Sequence, residues 1–207
     1  MRLPSRAECL TLLDRYRTPR HVVRHSFVVN RVAVFLAEKL RKRGVDVDVD
    51  VVDRASLLHD MLRVVNFEGF DPEQFSQTIS KEDLETWRKQ KETYGKFHHA
   101  TAARKELASL GYAALGRVVE AHRATMIQKK AKLDSWEKKC LFYADKRVVG
   151  AAIVSIDDRY HEWMERHAWG AKKLKEIERD KDKVRALEKE IFSKGKIRPE
   201  DIFEVRV

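Results

Sequence analysis

With 207 residues, 43% of them hydrophobic, the chain can bury one sizeable core, and its net charge of +10 arises from 43 Lys and Arg interleaved with 33 Asp and Glu. No apolar run approaches the roughly 18–20 residues needed to span a bilayer, and MRLPSRAECLTLL lacks a continuous signal-peptide core, so a cytoplasmic protein without membrane contact is expected. Cys9 and Cys140 form neither a disulfide framework nor a metal-ligand spacing, while eight Gly, four Pro and long helical periodicities argue for an all-α fold.

The first strong helix runs from Thr18 to Leu40, with Thr18 expected to cap it and Pro19 to occupy its first turn. Stepping from His25 by helical intervals reaches Val29, Val32, Leu36 and Leu40, so His25 sits on the core stripe. His21, one turn earlier, is expected nearer solvent. The alternating VDVDVDVV from Val45 to Val52 is read as an acidic lead-in to the next helix rather than a strand, because it follows Gly44 and its carboxylates complement a helix dipole. That helix leads into ASLLHDMLR, residues Ala55 to Arg63, where His59 and Asp60 are adjacent at the end of an apolar run.

From Asn66 to Lys96 aromatic residues mix with charges, and Asp71-Pro72 reads as a helix start. The aromatics anchor a helical insertion to the core or form a lid that stacks a nucleobase, the first being the simpler account. In FHHATAARKELASLGY, His99 shares a face with Ala103, Leu107 and Leu110, whereas His98 points with Ala102, Lys105 and Ser109. His122 ends a run through Leu115 and Val119. Asp145 interrupts the apolar face of Leu141, Val148 and Ala152, and Cys140 beside it reads as a small buried thiol. HEWMERH, from His161 to His167, resembles the zinc-protease helix HExxH but fails, because Glu165 stands where the second histidine is required. Beyond Trp169 a charged helix carries a narrow apolar seam through Leu174, Ile177, Val184, Leu187 and Ile191, ending before Gly195; the core or a second copy could cover it, which leaves a homo-oligomer open.

Imidazoles and carboxylates on inward faces are costly to desolvate without a partner, and a divalent cation is the usual one. In order and spacing, RHSFVVNRVAVFLAEKL, ASLLHDML, FHHATAARKELASLGY, VVEAHR and LFYADKRV resemble the successive blocks of the HD-domain metal-dependent phosphohydrolases, over roughly Leu10 to Arg159. The resemblance implies an all-α HD-domain helical bundle over residues 1–165 with an insertion at about 66–97, followed by a basic helical extension, 166–207. It implies that His25, His59, Asp60 and Asp145 hold a principal metal, that His99 and His122 complete a second site, with His98 as the alternative to His99, and that Asp60 bridges the two. Ala102 and Ala103 stand where the family often has Gly, and Arg63 where it often has Lys.

Such a donor set suits one or two ions of Mn, Fe, Co, Ni or Zn better than Mg. The implied reaction is hydrolysis of a phosphate ester or anhydride of a nucleotide or small phosphorylated metabolite, with Asp60, Arg63 and Lys146 as catalytic residues. Arg63, Lys146, Arg24 and Arg123 each adjoin a ligand position and are candidates to bind substrate phosphate. A nucleic-acid phosphodiesterase is a competing reading on charge, though no aromatic-basic RNA signature supports it, and a non-catalytic nucleotide sensor is another.

Overall fold

The computed structural model describes residues 1–70, 75, 77–128, 132–165 and 170–205. Among these residues the chain forms nine α-helices, and its strand content is one two-residue pair, so the all-α expectation holds. No helix is long and apolar enough to cross a membrane among the described residues.

Helix α1 (Arg6–Arg15) starts from a capping box in which the Ser5 hydroxyl accepts the Glu8 N–H and the Glu8 carboxylate accepts the Ser5 N–H. Helix α2 (Arg20–Arg41) is the spine; Val29, Val32, Leu36 and Leu40 are each fully buried, and it packs against α3 (Val49–Leu58) and α7 (Trp136–Lys146). Thr18 does not cap α2, contrary to expectation. Pro19 is the N-cap residue, and the buried Thr18 hydroxyl donates to the Met61 carbonyl, fastening the start of α2 to the turn after α3. The VDVDVDVV segment does lead into a helix, because the Asp48 carboxylate accepts the Asp50 and Val51 N–H groups at the start of α3.

Helix α4 (Lys81–Tyr94) begins with the Ser80–Asp83 capping box and carries Trp87 into a satellite cluster with Val64 and Phe75, flanked by Phe67, Phe70, Ile79 and Leu84. The Trp87 indole N–H donates to the Arg17 carbonyl at 2.7 Å. These aromatics therefore anchor the insertion; the Asp71-Pro72 expectation lies outside the described residues. Helices α5 (His99–Ser109) and α6 (Ala113–Glu120) pack closely as a pair, and Gly116 permits it, since a Cβ there would lie 2.9 Å from the Arg104 carbonyl oxygen.

After α7, strands β1 (Val148–Val149) and β2 (Ala152–Ile153) pair antiparallel across a tight turn in which Gly150 has φ +57°. Helix α8 (Ile156–Glu165) follows, and α9 (Ala171–Gly195) lies against α2, α7 and α8. Ile177, Val184, Leu187 and Ile191 are buried in the main core, and Leu174 is half-buried, so the seam read from sequence is covered by this chain's own core. Burial of each such side chain is worth about 1.5–3 kcal/mol, and four of them fix α9 in place. Hydrogen bonds and ion pairs add to this: the Tyr143 hydroxyl donates to Glu188, and the buried Arg147 guanidinium joins Glu188, Tyr143 and the Val154 carbonyl.

Candidate metal centre

A cavity of about 470 Å³ opens where the ends of α3, α5, α6 and α7 meet the hairpin and α2. His25 comes from the second turn of α2, as its stripe position requires. His59 and Asp60 sit just past the last residue of α3, His122 just past α6, and His99 is the first residue of α5. The inward placements read from sequence thus hold, but three of these side chains project from turns that end helices rather than from helix interiors.

Two groups of donors converge with ligand atoms within 4.8 Å of one another: His25, His59 and Asp60 form one, and Asp60, His99 and His122 the other. Asp60 is common to both. Asp145 joins the first group, its Oδ1 lying 3.2 Å from His25 Nε2 and 3.6 Å from His59 Nε2. Asp60 Oδ1 lies 3.1 Å from His99 Nε2 and 3.4 Å from His122 Nε2.

The tautomers are set from behind. His25 Nδ1–H donates to the Gly150 carbonyl at 2.9 Å, His59 Nδ1–H to the Ser56 carbonyl at 2.8 Å and His122 Nδ1–H to the Val119 carbonyl at 2.6 Å. In its neutral form each ring is left with a bare Nε2 lone pair aimed at the carboxylates. Burial lowers the His59 imidazole, but Asp60 and Asp145 outweigh it and raise His59 above its ordinary value, as a positive charge placed between these groups would satisfy. His99 is held by Asn66, whose side-chain oxygen accepts both the His99 backbone N–H at 2.7 Å and its Nδ1–H at 2.9 Å. His99 Nε2 then faces His122 Nε2 at 3.0 Å, two lone pairs head to head. His59 Nε2 and Asp60 Oδ1 are buried with no hydrogen bond among the described residues. Lone pairs so arranged repel one another unless a positive charge stands between them, so the residues fit a divalent cation.

Electrostatics follow the same pattern. Burial by itself would raise the Asp60 and Asp145 carboxyls; the Lys146 ammonium, with His25 and His59, holds Asp145 well below the usual carboxylate range, and positive charge on the His59 and His99 side lowers Asp60 in the same way. Burial pushes His99 down to about 4 against the pull of Asp60, so the ring stays neutral.

The positive candidates separate. Arg63 and Arg123 line the cavity: Arg63 Nη1 approaches the His99 ring at 2.9 Å, and Arg123 donates to Thr101 Oγ1 at 3.1 Å while its Nε is buried without a partner among the described residues. Lys146 also lines the cavity, but its ammonium is engaged by Asp145 Oδ2 and by the His122 carbonyl at 3.2 Å. Arg24 is not brought to the site. One residue before His25 on a helix is turned about 100° away, and Arg24 is exposed beside a separate groove with Leu10 and Gln77. His21 departs in the other direction: expected near solvent, it is half-buried against Phe67 and Phe75 and lines the cavity. His161 is exposed and pairs with Glu165 at 3.3 Å.

Sequence reasoning missed Asn66, which carries only the weak signal of a polar residue at the start of the aromatic segment. It also missed the far wall from Arg159 and Tyr160, which becomes a wall only when α8 folds back.

An all-helical bundle thus surrounds a buried, shared His/Asp cluster that could hold a metal ion. A family model described as HD domain matches residues 22–163, more than half of the chain, and the chain belongs to that family, whose members are generally metal-dependent phosphohydrolases that bind divalent metals. No curated protein and no solved structure matched the chain.

Proposed function

We propose that the protein is a metal-dependent phosphohydrolase acting on a nucleotide or other small phosphorylated metabolite. His25, His59, Asp60 and Asp145 hold the principal cation, and Asp60, His99 and His122 hold a second. The observation that carries this reading is the set of Nδ1–H bonds to Gly150, Ser56 and Val119, which turn three bare Nε2 atoms onto two buried carboxylates. A mixed imidazole and carboxylate set suits Mn, Fe, Co, Ni or Zn better than Mg or Ca. When bound, such an ion supplies an acidified water and neutralises charge on a phosphate oxygen.

The remaining work falls to this chain's own groups. Arg63 and Arg123 present guanidinium N–H groups to the cavity, where phosphoryl oxygens carry the developing charge. Lys146 holds Asp145 ionised and ties it to the backbone that carries His122. The cavity admits a small ligand, since 470 Å³ lies in the range of small-molecule sites. The test is phosphate release from a panel of nucleotides, dinucleoside polyphosphates and an aryl phosphate with Mn, Co, Ni or Mg, comparing wild type with His59→Ala. Turnover that disappears in the variant is expected; a variant as active as wild type would overturn the assignment.

A further inference from the structure

The histidines gathered around the cavity do not all face it with the same chemistry. His25, His59, His99 and His122 turn Nδ1–H away and leave Nε2 bare. His98 is built the other way round. It is the N-cap residue of α5, and its Nδ1 accepts the Ala100 backbone N–H at 3.2 Å, so the neutral ring carries its proton on Nε2. The ring lines the cavity, packed 4.0 Å from the His99 ring, and no side chain or carbonyl among the described residues receives that Nε2–H.

Its surroundings say what such a donor would meet. Arg63 and Arg123 line the same cavity as Asp60, His99 and His122, and the Arg123 Nε has no hydrogen-bond partner among the described residues. The ammonium of Lys146, which also lines the cavity, is engaged by Asp145 and the His122 carbonyl. Arg159 stands in the far wall, so Arg63 and Arg123 are the guanidiniums on the side of His99 and His122, and a neutral imidazole N–H beside them adds direction without adding charge.

We infer that His98 is a substrate contact, donating Nε2–H to a non-bridging oxygen of the phosphoryl group, so that the adjacent histidines divide between a ligand, His99, and a donor, His98. This rests on the phosphohydrolase reading above. It accounts for the doubled histidine: the ring nitrogen that caps a helix cannot also be a bare ligand, and capping leaves the other nitrogen protonated.

His98→Ser and His98→Thr test the inference, because either hydroxyl can cap α5 while the ring is removed. Three quantities are measured on the metal-loaded protein: metal stoichiometry, the inhibition or binding constant for inorganic phosphate, and kcat/KM on the best substrate. The expected result is unchanged metal content and thermal midpoint, with phosphate affinity and kcat/KM both falling by about ten- to a hundredfold, as for loss of a hydrogen bond to a charged group. Values within twofold of wild type in both variants would show that His98 only caps the helix. Loss of metal in both would make it a ligand. Either result overturns the inference while leaving the phosphohydrolase reading intact. A wild-type protein that neither releases nor binds phosphate would overturn that reading and the inference with it.

Discussion

Replacing Lys146 with Met removes the countercharge of a buried carboxylate while keeping most of the volume of the stem. Lys146 and Asp145 each have 8% of their surface exposed, and the Lys146 ammonium is the leading influence holding Asp145 ionised against the cost of its burial. Breaking one side of a buried pair costs about 3–5 kcal/mol. For a chain of this size each kcal/mol lowers the thermal midpoint by about 2–4 °C, so the metal-free variant should melt about 6–20 °C below wild type. A divalent cation held against Asp145 re-pairs the carboxylate, so excess Mn should narrow the gap between variant and wild type. The assay is thermal unfolding of both proteins, each with chelator and with Mn. A chelated variant that melts within 2 °C of wild type would refute the claim that Lys146 holds Asp145. A gap that does not narrow with Mn would refute the claim that Asp145 faces a cation.

Asn66→Ala removes the acceptor that orients His99, and loss of such an outer contact typically weakens metal binding about 10–100-fold. Metal titration followed by calorimetry should show this loss in the weaker binding step alone, with the principal step, which Asn66 does not touch, unchanged. Ile191→Ala on α9 should cost about 2–5 kcal/mol, because the side chain is fully buried in the main core; denaturant unfolding that shows a change below 0.5 kcal/mol would mean that α9 is not docked. The two thiols should be silent to a thiol reagent in the folded protein at pH 8. Cys9 and Cys140 are both fully buried, and burial pushes the Cys9 thiol up to about 11 and the Cys140 thiol higher still; rapid labelling without denaturant would contradict their packing.

Helical periodicity was sufficient to place His25 and the α9 seam, because each sits on a stripe of apolar residues several turns long. Asp145 is buried as expected, but the helical face assumed for it breaks off, since α7 ends at Lys146 and Val148 and Ala152 belong to the hairpin. Periodicity was also sufficient to turn His99 inward, but it wrongly set His98 on another face: His98 is the N-cap residue with extended backbone, outside the helical periodicity, and its ring lines the same cavity. Periodicity could not mark the carbonyls of Ser56, Val119 and Gly150. Backbone groups leave no trace in residue type, yet they decide which ring nitrogen of His59, His122 and His25 is free. Arg24 shows the opposite failure: adjacency in sequence to a ligand reads as proximity, but on a helix it means the next face. Thr18 shows that a good capping residue gives up that role when a buried carbonyl, here that of Met61, needs a donor. What covers the α9 seam was likewise beyond a single sequence, since a stripe records that it is apolar and not which surface meets it.

The most direct test of the central claim is metal content and phosphate release in Asp60→Asn beside wild type. Asp60 is the residue common to both donor groups, and Asn keeps its shape while removing the charge. The account predicts that wild type holds a divalent transition metal and releases phosphate, and that the variant keeps its helical signal while losing most of its metal and its turnover. A variant that binds metal at wild-type stoichiometry and turns over at the wild-type rate would contradict it.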